Sequence, residues 1–205
     1  MDLKKILNSH LLWLQGKNGT RADLSGANLS RIDLSRTSLS EANLSRTSLS
    51  EADLSGADLF RTNLSGANLF GADLSRADLS RANLSGADLS GASFSGANLF
   101  KTDLFGAKWT TTTNWPSPTM ILLAFWGNVS DELTQDLMRW NAEGHPNPKA
   151  FSVWAKGGGY PYNNISWERV ANFQEKSYLW KATGKKLRSY DLAIRLLKEK
   201  CILIA

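Results

Sequence analysis

The sequence predicts a β-solenoid, a chain wound into short extended sides joined by corners, and three features of one stretch predict it. From Ala22 to Thr111 the chain is eighteen consecutive five-residue blocks with no insertion or deletion. The third residue of every block is Leu from Leu24 to Leu104, apart from Phe94 and Trp109, and the first is Ala except at Ile32, Thr37, Thr47, Thr62 and Thr102. Finally, a period of five suits neither regular element. On an α-helix five residues advance about 500°, so each Leu lands roughly 140° from the last and no apolar stripe forms. On an unbroken strand an odd period would send successive leucines to opposite faces.

A short side followed by a corner resolves both conflicts. The first and third residues of a block, two apart, point inward together. The second is Asp, Asn or Ser until Lys108 and points outward. The fourth is Ser in thirteen blocks, the exceptions being Phe60, Phe70, Phe100, Phe105 and Thr110, and the fifth is Gly or charged until Thr111, both suited to a corner. Repeating side and corner stacks leucine inside and Asp or Asn outside.

Blocks such as Ala22-Asp23-Leu24-Ser25-Gly26 and Ala27-Asn28-Leu29-Ser30-Arg31 resemble the pentapeptide-repeat family. The resemblance implies a right-handed quadrilateral β-helix with four blocks per coil, hence about four and a half coils here. It says little about activity, because one fold hosts many functions.

Three segments follow: a capping helix over 1–20, the repeats over 21–111, and a small, mainly helical C-terminal module over 112–205. In the first, Leu3, Ile6, Leu7, His10, Leu11 and Leu14 share one helical face, and Gly16 ends the helix. Such a helix covers the leucine core and free backbone edge of a first coil. In the last, Thr110 to Pro118 reads as a linker and Met120–Trp126 as a short apolar helix or buried segment. Ser130 caps a helix running to about Glu143, and Asn147-Pro148 opens one carrying Phe151 and Trp154. Gly157-Gly158-Gly159 is a connector, and 165–180 is ambiguous between strand and helix. Ser189 caps a last helix with Tyr190, Ala193, Ile194, Leu197 and Cys201 on one face.

Charge is unevenly spread within the net +5. Residues 1–21 carry four basic residues against one acidic, the repeats eight against ten, and 112–205 twelve against eight. The coil is close to neutral and its ends are basic. The lone cysteine, Cys201, excludes an internal disulfide and fits a reducing compartment. With no cleavable leader pattern and no run near the ~20 apolar residues of a membrane span, the expectation is a cytoplasmic protein that does not engage membrane.

Catalytic chemistry is scarce. His10 and His145 are the only histidines, and no Cys/His spacing suits a metal, so neither metal nor cofactor is expected. The repeated Asp residues share nearly identical surroundings, whereas hydrolysis needs two carboxylates in different ones. The triple glycine lacks the Lys-Ser/Thr of a phosphate loop. The Lys181, Lys185, Lys186, Arg188 cluster has no interleaved aromatic residues, so nucleic acid is not the expected partner.

With four blocks per coil, residues twenty apart stack at ~4.8 Å. One corner column then reads Glu41, Arg61, Arg81, Lys101, beside Ser40, Phe60, Ser80 and Phe100. Phe60, Arg61, Arg81, Phe100 and Lys101 are therefore the candidate partner-binding residues, with cover by the C-terminal region as the alternative use of the phenylalanines. The expected function is a non-enzymatic interaction or scaffold protein for an unidentified protein partner. The resemblance also implies a second reading, since relatives similar to the quinolone-resistance proteins imitate duplex DNA toward topoisomerases. That needs a long acidic surface, and the coil carries only −2 over about 20 Å. An enzyme in the C-terminal module is a third reading that a pocket with perturbed titratable groups would raise.

Inside and outside are tested by neighbouring substitutions. Leu64→Asp buries an unpaired charge and should abolish cooperative thermal unfolding, whereas Asn63→Asp, one residue earlier, should be nearly silent. Equal damage from the two would reverse the assignment.

Overall fold

The computed structural model of the chain describes residues 2–124, 129–143, 149–156, 173, 176–180 and 188–204. Four columns of parallel bridges run through the repeats, each joining residues twenty apart; one column passes from Asp23 through Asn43, Asn63 and Asn83 to Asp103. Four blocks thus make one coil. Between coils, the second and third residues form the ladder: Leu24 N–H donates to Asn43 O at 2.8 Å, and Asn43 N–H donates back to Ala22 O at 2.9 Å. Leucines from Leu24 to Leu104 are at most 4% exposed. Each contributes about 2 kcal/mol by leaving water.

The corners explain the remaining block positions. Within a coil, Ala27 N–H donates to Leu24 O at 3.0 Å, closing a four-residue turn. Its third residue, Gly26, has φ +66°, as a type II turn requires. The second residue braces the same turn, since Asp23 Oδ1 accepts from Ser25 N–H at 3.0 Å. The bond recurs from Asn28, Asp33, Asn43 and Asp53 up to Asp103. The Asp and Asn columns, expected simply to point outward, are therefore turn caps. Where Thr replaces the inward Ala, its hydroxyl has an acceptor: Thr47, Thr62 and Thr102 donate to Leu24 O, Leu39 O and Leu79 O at 2.7–2.9 Å.

Helix α1 (Leu3–Leu14) covers the first coil. Asp2 caps it by accepting from Lys5 N–H at 3.0 Å, and Leu3, Ile6 and Leu7 pack on the core. Leu11, expected on that buried face, is 47% exposed. The coil meets the helix near its middle through His10, which is fully buried. Its Nδ1 accepts from Ala22 N–H at 3.1 Å, and its ring stacks on Trp13.

At the other end the coil runs further than expected. Ser93 bridges Asn114, twenty-one residues on, so one inserted residue precedes a nineteenth block. Thr113 sits inward, donating to Leu89 O as Thr47 does to Leu24 O, and Trp115 stacks on Phe94 at 5.3 Å. Residues 113–115, expected to be linker, are coil. A final rung comes from the C-terminus. Strand β1 (Lys108–Trp109) pairs in parallel with β2 (Ile202–Leu203). Ile202 and Ile204 N–H donate to Ala107 and Trp109 carbonyls, both at 2.8 Å.

Among the described residues the helices between these strands are α2 (Pro118–Leu123), α3 (Asp131–Glu143), α4 (Lys149–Trp154) and α5 (Ser189–Lys200). Ser130 caps α3, accepting from Leu133 N–H at 3.4 Å. Glu199 of α5 binds Ser130 N–H and Oγ at 2.6 and 2.7 Å. Arg195 pairs with Asp136, and with Glu132 at 3.2 Å. Ser189 is not the cap of α5: it is the first helical residue, and its Oγ accepts from Trp140 Nε1 at 2.9 Å. The buried face of α5 is Leu192, Ala193, Leu196, Leu197 and Cys201, while Tyr190 is 63% exposed. The face is turned because the helix packs on both α2 and α3. Gly144, His145, Asn147-Pro148, Gly157-Gly158-Gly159, most of 165–180 and the lysines at 181, 185 and 186 lie outside the described residues.

His10 makes the cap sensitive to pH. Burial lowers its pKa below the ordinary value near 6.5, with nearby Arg21 adding to the effect and Ser40 backbone and Asp58 opposing it. The folded chain therefore holds the neutral ring, and the unfolded chain takes up the proton first. Stability is fully present above that ordinary value and is lost as pH falls through the folded pKa. The melting temperature should drop between about pH 7 and pH 5. His10→Asn, which keeps an acceptor for Ala22 N–H but cannot titrate, should show a flatter dependence; parallel curves would remove His10 as the cause.

Candidate functional site

The side formed by blocks 37–41, 57–61, 77–81 and 97–101 is held by the bridges Ser38↔Asp58, Asp58↔Asp78 and Asp78↔Asn98. These bring Phe60, Arg61, Arg81, Phe100 and Lys101 into one column. The fourth residue of each block leaves the ladder beside the corner, with Phe60 and Phe100 N–H bound by Asp58 and Asn98 side chains at 3.1 Å.

Corner chemistry sets what the cations do. Every fifth residue from Gly26 to Gly106 has φ between +53° and +69°, and nine of them are Arg, Glu or Lys. In three of the four corner columns a charged residue has a glycine neighbour, over which its stem lies. A Cβ added at Gly56, Gly66, Gly71 or Gly96 would sit 3.4–3.6 Å from the Cγ of Arg36, Arg46, Glu51 or Arg76. The fourth column, Glu41-Arg61-Arg81-Lys101, contains no glycine. Its cations lie instead over aromatic rings. Arg61 and Arg81 guanidinium carbons stand 5.1 and 5.9 Å from the centre of the Phe60 ring, and Lys101 Nζ stands 5.6 Å from that of Phe100. Arg61 also reaches Glu41 at 3.4 Å.

Phe60 and Phe100 are consequently half-buried under cations. On the coil, the phenylalanines that face solvent are Phe70 and Phe105, at 53% and 62% exposure. Both occupy ordinary Ser positions in other columns and were not singled out in the sequence, because neither has a basic stripe beside it. Held over a ring, a guanidinium keeps its in-plane donors free to meet a carboxylate in pairs. The column is thus a row of three cations held against rings, of which Arg61 is shared with Glu41. Asp58 and Asp78, on the same side, are occupied in binding Phe60 and Ser80 N–H.

Elsewhere the chemistry is quiet. Asp23 and Asp33 have their pKa values lowered, chiefly by hydrogen bonds from Ser25 and Ser35. Arg188, the one described member of the basic cluster near residue 185, pairs with Asp191 at 2.8 Å. Among the described residues no group of His, Cys, Asp and Glu could hold a metal ion, and no helix is long and apolar enough to cross a membrane. Cys201 donates its S–H to Leu104 O at 3.2 Å, and burial, helped by Asp103, pushes its pKa up to about 12.

The family model for pentapeptide repeats matches residues 13–40, 27–66, 37–76 and 67–106, with eight copies. No curated protein matches the chain. Among solved structures the chain is similar to a pentapeptide repeat protein from the Arabidopsis thaliana thylakoid lumen (29% identity, 58% of this chain and 76% of that one, TM-score 0.44). It is similar to HetL, a pentapeptide repeat protein involved in heterocyst differentiation regulation from the cyanobacterium Nostoc sp. strain PCC 7120 (32%, 56% and 48%, TM-score 0.46). A third is the pentapeptide repeat protein Rfr23 from the cyanobacterium Cyanothece 51142 (31%, 53% and 97%, TM-score 0.27). The chain spans about half the length of HetL.

Cys201 reports whether β2 is seated. In the native protein iodoacetamide should leave it unmodified over hours at about pH 8, and should label it promptly in denaturant. Labelling of native protein at the rate of a free thiol would mean that the last rung is open.

Proposed function

The chain belongs to the pentapeptide-repeat family through residues 13–106, and from that premise we propose that it is a non-enzymatic interaction or scaffold protein. Its coil takes the right-handed winding the family implies, and its partner is a protein with an acidic segment. The observation that carries this reading is the glycine-free corner column, whose Arg61, Arg81 and Lys101 stack on Phe60 and Phe100. Rigid spacing by the coil and ring contacts lower the ordering cost of these side chains on binding. A lone buried cysteine supports a reducing compartment, the cytoplasm.

Imitation of DNA is disfavoured by the same column. A duplex mimic needs continuous negative potential, and this column places three cations in succession along the coil.

The test is capture with the full chain, since removing the C-terminus would strip β2 from the coil. Wild-type bait is compared with Arg61→Glu/Arg81→Glu/Lys101→Glu, whose positions lie at the surface, so the melting temperature should move by only a few degrees. The expected partner is rich in Asp and Glu, elutes with salt and is lost from the variant by about tenfold or more. Equal recovery on both baits would sink the proposal. Inhibition of gyrase supercoiling by the wild-type chain would favour the mimic instead.

A further inference from the structure

A cleft of about 720 Å³ opens where the last coil meets α5. Its size falls within the range that small-molecule sites occupy. Trp109 and Trp115, in edge-to-face contact at 6.1 Å, line it together with Ile194 and Leu203. Three ionised side chains of α5 also line it: Asp191, Arg195 and Lys198. Two are already neutralised within the chain, Asp191 by Arg188 at 2.8 Å and Arg195 by Asp136 and Glu132. Lys198 is exposed and has no partner among the described residues. Among the described residues the uncompensated charge at this apolar, indole-lined cleft is therefore a single cation.

We propose that the cleft binds a small planar aromatic carboxylate, the ring against Trp109 and Trp115 and the carboxylate on Lys198 Nζ. A flat ring offers stacking or edge contacts to the two indoles that an aliphatic chain does not. A charge-assisted bond to a lysine at the rim of an apolar site fixes orientation. A neutral ligand would leave the ammonium without a partner, and a cation would meet it with like charge.

The experiment titrates 2-naphthoate into the full chain, following heat and the indole N–H resonances. Saturable one-site binding with movement of the Trp109 and Trp115 signals is expected. Lys198→Glu, a change at an exposed position, should weaken it at least about tenfold. Ile194→Arg, which fills the cleft, should abolish it, with the melting temperature checked in parallel. Neutral 2-naphthol and octanoate, one lacking the charge and the other the ring, should each bind about tenfold more weakly or worse. Absence of saturable binding to the wild type, binding indifferent to Lys198→Glu, or octanoate equal to naphthoate would each overturn the assignment.

Discussion

Everything in the coil depends on the turn that closes each block. A parallel ladder repeats only if the sides match from coil to coil, so any irregular corner has to absorb its extra length locally, as the one-residue insertion before Thr113 does. The chain enforces this with two local devices acting together: a left-handed fifth residue and a second residue whose carboxylate or amide oxygen ties down the fourth residue's N–H. Neither supplies much energy alone. Their effect is to hold the register in which burial of leucine, about 2 kcal/mol for each, becomes additive along the coil.

Regularity then creates a difficulty at the ends, where a perfect coil would expose both its core and an unpaired edge. The two ends are closed differently. At the N-terminus a helix lies across the first coil, with His10 fixing the join by accepting Ala22 N–H. At the C-terminus the core residues grow from Leu to Phe94, Trp109 and Trp115, whose rings pack on one another. The chain then leaves through α2 to α5 and returns to pair β2 with Lys108–Trp109. The helical part is thereby tied to the coil by main-chain bonds as well as by side-chain packing.

The repeats were legible in the sequence because their signal is local and recurs eighteen times. The nineteenth block was not, since a single inserted residue before Thr113 breaks the count, although Thr-Asn-Trp keeps the inward, outward, inward chemistry. The last rung was beyond reach for a different reason: Ile202 and Lys108 are paired across ninety-four positions, and no local pattern announces such a contact. Likewise Ser189 and Tyr190 read as cap and core by helical spacing alone, and the position of α2 and α3 turned the helix otherwise. Of the candidate site, the stacked column followed directly from a twenty-residue coil. The cation–ring contacts and the cleft beside α5 are products of tertiary placement.

The glycine-free column departs from the economy seen at the other corners, and the departure has a physical cost. A non-glycine residue at positive φ is strained by about 1 kcal/mol or more, and for Arg36, Arg46, Glu51 and Arg76 a neighbouring glycine at least leaves room for the long side chain to lie across it. Four strained corners in succession, with like-charged Arg61, Arg81 and Lys101 about 5 Å apart along the stack, gain nothing of that kind. Their partial compensation is the placement of Phe60 and Phe100 at positions otherwise held mainly by Ser, under the cations. Phenylalanine at those two positions and charge at those corners therefore make sense only as a set. The strain and like-charge repulsion of this one column are thus offset locally, by ring contacts that the glycine-containing columns do not have.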